Sequence, residues 1–231
     1  MATENKSINK AYEKYYQERE HIKVYPTEFV VRTFLAKYPR LEFETPGKDT
    51  TILDIGFGDG RNTAFLVDCG LRVSGTEITQ SIVDLTAERL SKLGCEPDLR
   101  VGRNSSLPFD SNSFDYILAC HSCYYLDEGQ SMRDNLEEYA RVLKKGGHLV
   151  ASVPNQDSYI MNDANQLEDG SSLITNDPYN NRIGYRLHAF SNTTDIRDYF
   201  SDLFEQFSFG SSSADYYGIH EKVFWVVCQK R

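Results

Sequence analysis

Positive charge is the first thing the chain is short of. It carries 25 Lys and Arg against 34 Asp and Glu, a formal net charge of −9. Gripping bare nucleic-acid phosphate takes clustered Lys and Arg, so no nucleic-acid partner is expected. Long apolar runs are missing too. No run reaches about 18 residues, so no membrane span is expected. The opening residues, Met1 to Lys6, are polar and lack the apolar stretch of a signal peptide. Cysteine is sparse, at five, and the odd count sits mostly in apolar segments. That excludes a disulfide framework and points to a reducing compartment, the cytoplasm. Cys120-His121-Ser122-Cys123 is a CxxC, but no second CxxC and no HxxxH accompany it. A structural zinc needs four ligands, so small side chains at the end of a buried strand are the stronger reading and no metal is expected.

What is present is ordinary globular composition, with 40% hydrophobic and 26% charged residues over 231 positions. That size suits one domain, residues 1–231. Short β-rich runs alternate with helical patterns. The strands are expected at Thr51–Gly56, Arg72–Ile78, Asp98–Gly102, Phe114–Cys120, Gly147–Val153, Gln206–Phe209 and Val223–Cys228. The helices are expected at Arg61–Asp68, Ser81–Leu93, Gln130–Leu143 and Thr193–Phe204. Alternation of this kind implies an α/β fold with a mostly parallel seven-stranded sheet. Ile52-Leu53-Asp54-Ile55 is apolar on both strand faces, as a sheet covered by helices on both sides requires. No helix separates the last two runs, and Ser211-Ser212-Ser213 and Tyr217-Gly218 supply turn residues, so a C-terminal antiparallel hairpin is expected. Two segments fall outside the alternation. Residues 1–40 read as a helical cap, with Tyr12, Tyr15, Tyr16 and Arg19 at helical spacing and a second helix over Phe29–Tyr38. Residues 155–190 are rich in Asn, Asp, Ser and Gly, and read as a substrate-side insertion or lid.

Four segments carry chemistry. Asp54-Ile55-Gly56-Phe57-Gly58-Asp59-Gly60 runs a strand into a glycine turn and then a helix. Glycines at alternate positions let a ligand approach the backbone. An acid inside the strand end would repel a pyrophosphate but favour a cationic amino group, which separates this turn from the dinucleotide fingerprint. Glu77 falls 17 positions after Gly60, at the end of the second strand, where an acid accepts ribose hydroxyls. Gly102-Arg103-Asn104-Ser105-Ser106-Leu107-Pro108-Phe109 leads to Ser113-Phe114-Asp115, and Leu143-Lys144-Lys145-Gly146-Gly147 reads as a helix end, a turn and a strand start.

Together these segments resemble the class I S-adenosylmethionine-dependent methyltransferases, in particular the small-molecule group called type 11. The resemblance covers about Thr50 to Val153. It implies a Rossmann-like fold and S-adenosylmethionine as cofactor, with S-adenosylhomocysteine as product. It implies that Asp54, Gly56, Gly58 and Gly60 surround the methionine part and the ribose, that Glu77 holds the ribose hydroxyls and that Ile78 packs on adenine. Asn104 stands where the family has Asp, and its carbonyl is expected to accept from the adenine amino group. Ser105 would offer a backbone amide to the ring, and Cys120 its backbone near the methyl group. Tyr16 and Arg19 are expected to close over the cofactor.

The implied reaction is a direct displacement, in which alignment supplies much of the rate. A hydroxyl acceptor also needs a base. His121 is the first candidate and His188 the second; for each, a structural histidine is the competing reading. Tyr12, Tyr124 and Tyr125 are expected to line the acceptor pocket. No (Asp/Asn)-Pro-Pro-(Tyr/Phe) follows the fourth strand, which argues against nucleic-acid amino methylation, and Cys120 and His121 do not suit magnesium. The expected activity is metal-independent O-methylation of a sugar, nucleotide sugar or similar metabolite. N-methylation of a small amine and a non-catalytic binding module are the alternatives. The tyrosines gathered near the mouth suggest a modest, partly polar acceptor.

Overall fold

The computed structural model describes residues 4–231, with side chains from residue 9 onward. Two helices come first, α1 (Glu4–Glu18) and α2 (Glu28–Leu35). The alternating part follows as β1 (Thr51–Ile55), α3 (Arg61–Asp68), β2 (Arg72–Glu77), α4 (Gln80–Lys92), β3 (Asp98–Val101), β4 (Phe114–Ala119), β5 (Tyr125–Leu126), α5 (Met132–Val142) and β6 (Leu143–Pro154). The chain ends with β7 (Asn165–Gln166), β8 (Ser172–Leu173), β9 (Arg186–Leu187), α6 (Thr193–Phe200), β10 (Phe204–Tyr216) and β11 (Ile219–Lys230). Seven strands form the main sheet in the order β10-β11-β6-β4-β1-β2-β3. β1 pairs in parallel with β2 and β4, and β6 with β4, while β11 and β10 are antiparallel. The expected Rossmann-like α/β sheet is therefore present.

Local sequence explains the helix starts. Thr79 accepts from the Ile82 amide at the head of α4. Ser131 and Asp134 form a reciprocal capping box at α5, and Asn192 accepts two amides at α6. Each helix then buries one stripe. On one sheet face Met132, Leu136 and Tyr139 of α5 meet Leu149, Phe200 and Phe204; on the other, Val30 and Phe34 of α2 meet Ile52, Leu66 and Val150. Each such buried side chain contributes about 1.5–3 kcal/mol.

Several boundaries differ from expectation, each for a local reason. Phe204 opens β10 rather than closing α6. α2 stops at Leu35, short of Tyr38-Pro39, because the residue before a proline avoids helical backbone. Helix α5 ends at Val142, and β6 starts at once, bending at Gly146 with φ +75°. The hairpin is much longer than the hydrophobic runs suggest. Ser211–Ser213 lie inside β10, and the chain reverses at Tyr217-Gly218, both at positive φ (55° and 96°). That is the backbone a two-residue hairpin turn needs. The segment after β6 is folded, not loose: β9, β8 and β7 join β5 in a second, four-stranded sheet over the carboxyl ends of the main strands.

Candidate active site

The site lies where β1, β2 and β4 end. After Ile55 the chain turns through Gly56, Gly58 and Gly60, at φ +68°, +55° and +77°. All three also lack room for a side chain, and a Cβ on Gly60 would sit 2.8 Å from Thr86 Cγ2. A Cβ on Gly56 would sit 2.7 Å from Ser122 Cβ, and one on Gly58 would sit 2.4 Å from Tyr16 Oη. Thr86 holds the turn by donating to the Gly58 carbonyl at 2.6 Å. Glycine at 56 thus lets the segment after β4 close on β1, where Ser122 Oγ donates to the Ile55 carbonyl at 2.6 Å.

Glu77 closes β2 beside this turn. Its Oε1 accepts from the Gly58 amide at 3.1 Å, and its Oε2 from the Ile78 amide at 2.8 Å. Each oxygen keeps a further lone pair. Burial pushes its carboxyl up to about 6, against the pull of those two amides. Asp54 lies deeper, 1% exposed, with Thr63 Oγ1 donating to it at 2.7 Å. Burial pushes it up to about 7.

Two cavities meet here. The first holds about 640 Å³ and is walled by Gly56, Glu77, Ile78, Gly102, Arg103 and Asn104, with Tyr12 and Tyr16 of α1 above. The second holds about 1070 Å³ and is walled by Gly58, Cys120, His121, Tyr124, Arg182 and Glu221 among others. Tyr12, Tyr16, Gly56, His121 and Tyr125 line both. The N-terminal helix α1 supplies Tyr12 and Tyr16 to these walls, and the segment after β6 supplies Arg182.

His121 sits in left-handed backbone, φ 56°, its amide donating to Ser152 Oγ at 2.7 Å. For a non-glycine residue this costs about 1–2 kcal/mol, a strain that gathers at functional sites. Burial, then Arg182 and Arg61, lower its imidazole to about 4, so the ring is neutral at neutral pH. Arg182 is the organiser of the second cavity. Its Nε donates to Tyr125 Oη at 3.0 Å and its Nη1 to Tyr159 Oη at 3.1 Å. Buried Asp177 takes the amides of Tyr179, Asn181 and Arg182 and pairs with the guanidinium at 3.3 Å, which fixes the loop that carries it. Tyr12 and Tyr125 share a hydroxyl hydrogen bond of 2.9 Å.

Six of the sequence-derived candidates lie elsewhere or do something else. Asp54, expected beside the methionine part, is buried beneath the turn with its carboxyl bonded to Thr63 and lines neither cavity. Arg19 stands off both cavities, its guanidinium over the Tyr15 ring at 5.1 Å. His188 packs between Phe190 and Tyr199, away from the site. Asn104 is on the wall of the first cavity, but its amide works inward. Its Nδ2 donates to the Ser122 and Tyr125 carbonyls at 2.9 and 3.1 Å, and its Oδ1 accepts from buried Tyr139 at 2.8 Å. Asn suits this position because it can both donate and accept, which Asp cannot. Ser105 occupies the tight turn between Arg103 and Ser106 and lines neither cavity. Gly60 lines neither cavity and serves as the left-handed N-cap of α3. Ile78, Cys120, Tyr124 and Tyr125 do line the cavities. Glu221 and Tyr159 were not foreseen, since nothing local in the sequence sets them apart. Arg103 and Asp127 pair at 2.5 Å on the edge of the first cavity. Among the described residues no group of three or more His, Cys, Asp or Glu could hold a metal, and no helix is long and apolar enough to cross a membrane.

The comparisons agree with this geometry. Residues 53–151 match the family model described as a methyltransferase domain. An uncharacterized methyltransferase of Mycobacterium tuberculosis is 28% identical over 109 residues, which is 47% of this chain and 42% of that protein. The chain thus aligns with less than half the length of this curated relative. A solved S-adenosylmethionine-dependent methyltransferase of Methanosarcina mazei superposes with a TM-score of 0.64 at 23% identity, covering 90% of this chain and 99% of that one. An N1-methyltransferase of Burkholderia thailandensis, solved with its acceptor and S-adenosylhomocysteine, superposes with a TM-score of 0.57 at 17% identity, covering 80% and 72%. The strand order, the glycine turn with Glu77 beside it, and the family match converge, and residues 53–151 form a methyltransferase domain of the type 11 group on the class I S-adenosylmethionine-dependent fold.

Proposed function

We propose that the protein transfers a methyl group from S-adenosylmethionine to a hydroxyl of a small molecule, such as a sugar, a nucleotide sugar or a similar metabolite. The observation that carries this reading is Glu77. Its two oxygens are each pinned by one backbone amide at the mouth of the glycine turn, on the wall of a cavity that opens into a second, polar one. Bound there, S-adenosylmethionine supplies an electrophilic methyl group on a sulfonium. Glu77 would accept the ribose hydroxyls with its free lone pairs. Ile78 would pack on the adenine, and the backbone of the glycine turn would border the methionine part. Tyr12 and Tyr16, stacked 6.2 Å apart, roof this space.

The second cavity would take the acceptor. Arg182 presents its Nη2 there, since its other nitrogens are engaged by Tyr125, Tyr159 and Asp177. Arg61 and Asp59 neutralise each other, joined at 2.9 Å. The Glu221 carboxyl makes no hydrogen bond or ion pair among the described residues, and burial raises it against the pull of Arg182. A carboxylate with raised affinity for a proton suits the removal of one from a hydroxyl. His121, low at about 4, is a weaker base and suits orientation of the acceptor. An unpaired Glu221 also favours a cationic acceptor, and so N-methylation of an amine is the second reading.

Titration calorimetry with S-adenosylmethionine and S-adenosylhomocysteine tests the proposal. Binding by the wild type and its loss in Glu77→Ala are expected, with weakening in Asp54→Ala. No binding, or unchanged binding in both variants, would overturn it. Methyl transfer from labelled cofactor to a small-molecule panel then separates an enzyme from a binding module.

A further inference from the structure

The acceptor cavity borders a groove on its far side. Thr27, His121 and Glu221 line the cavity and also line this groove, of about 1410 Å³, between α2, residues 38–41 and the β10–β11 hairpin. The partition between the two is made of side chains. The His121 ring stands edge-on to Trp225 at 5.5 Å and 77°, and Trp225 lies flat on Phe29 at 4.1 Å and 13°. Phe209, Leu41 and Val227 continue the apolar wall, and Ser211 and Ser212 border it. A file of rings therefore leads from His121 outward. A compact sugar held in the cavity would leave this wall bare.

We propose that the methyl acceptor is elongated: its reacting group lies beside Glu221 and His121, and a flat apolar arm, aromatic or alkyl, passes them into the groove and rests on Trp225 and Phe29. This rests on the methyl-transfer reading. The lining that the groove shares with the acceptor cavity, Thr27, His121 and Glu221, argues for this occupant. Stacking surfaces also favour a planar or extended segment over a round one, because area removed from water and ring contact both grow with flat overlap.

The test needs no knowledge of the natural acceptor. Nitrogen-for-sulfur analogues of S-adenosylmethionine carry methyl, n-butyl, n-octyl or 4-phenylbutyl on the nitrogen, so the chain explores the path an acceptor takes. Binding is read by calorimetry on the full chain, and Trp225, the sole tryptophan, reports the groove by its fluorescence. The methyl analogue is expected to bind without altering Trp225 emission. The octyl and phenylbutyl analogues are expected to bind about 10–100-fold tighter, as burial of a hydrocarbon arm provides, and to shift that emission. Phe29→Ala is expected to remove the gain while leaving the methyl analogue's affinity unchanged. Affinity that falls as the chain lengthens, or a gain with Trp225 emission unmoved, would overturn the elongated acceptor alone. Failure of the methyl analogue itself to bind would overturn the methyl-transfer reading, and this inference with it.

Discussion

Asp54→Asn should make the protein without cofactor more stable at alkaline pH. The carboxyl lies beneath the glycine turn, 1% exposed, with a hydrogen bond from Thr63. Burial pushes it up to about 7, from an unfolded value of about 3.9. Between those values the folded chain holds a proton that the unfolded chain has lost. Stability therefore falls as pH rises from about 4 to about 7, and the cost is fully present above 7. The interval is about three pH units, each worth about 1.4 kcal/mol, which gives a cost of about 4 kcal/mol. Asparagine keeps an acceptor for Thr63 and carries no charge. The variant should match the wild type near pH 4 and exceed it by about 2–4 kcal/mol at pH 8. His121 works the other way: with its imidazole lowered to about 4, stability is lost as pH falls below about 6.5. That slope is common to both proteins, so their difference isolates Asp54. Urea unfolding followed by circular dichroism from pH 4 to 8 measures it. Parallel curves, or a variant weaker than wild type at pH 8, would refute the reasoning. If Asp54 also favours the cofactor's amino group, the same variant will bind S-adenosylmethionine more weakly, a trade of function against stability.

Glu77→Gln should weaken S-adenosylmethionine by roughly 100-fold, as expected for loss of a charged acceptor to two hydroxyls. In the wild type at pH 6, binding should release a fraction of a proton, visible as a calorimetric heat that changes with the buffer, because hydroxyl donors favour the ionised form of a carboxyl at about 6. Gly58→Ala should displace α1, since its Cβ would meet Tyr16 Oη at 2.4 Å; faster proteolysis within residues 9–18 and a lower melting temperature are the readouts. Glu221→Gln should leave cofactor binding unchanged in calorimetry and slow methyl transfer about 100-fold or more; an unchanged rate would return the proton to another group. Tyr217→Asn should stabilise the hairpin by about 1 kcal/mol in thermal unfolding, because Tyr217 is fully exposed at φ 55° and asparagine tolerates that backbone.

The cofactor half was legible in the sequence because its signals are local. A strand, a glycine turn and a helix must be contiguous, and the acid after the next strand falls at a set distance, so the turn from Asp54 to Gly60 and Glu77 beside it stand out in the sequence, while the roles given to them came from the family resemblance. The alternation of apolar strands and striped helices likewise carried the order of the parallel elements. Where local signals are weak the reading slipped. Residues 204–216 are mostly polar, since an edge strand needs few buried side chains, and so most of β10 lay hidden. Asn104 looked like a ligand because of its position in a motif, yet its partners are the Ser122 and Tyr125 carbonyls and Tyr139, distant in sequence.

By itself the sequence determined the fold class, the cofactor turn and the acid beside it. Only the tertiary structure decided what lines the second cavity. It brings Tyr12, His121, Arg182 and Glu221, from four separate parts of the chain, to one cavity. It also sends His188 and Arg19 away from it. The reason is physical. A backbone turn is specified by the residues that make it, whereas a side-chain pocket is specified by which surfaces pack together, and that depends on burial across the whole chain.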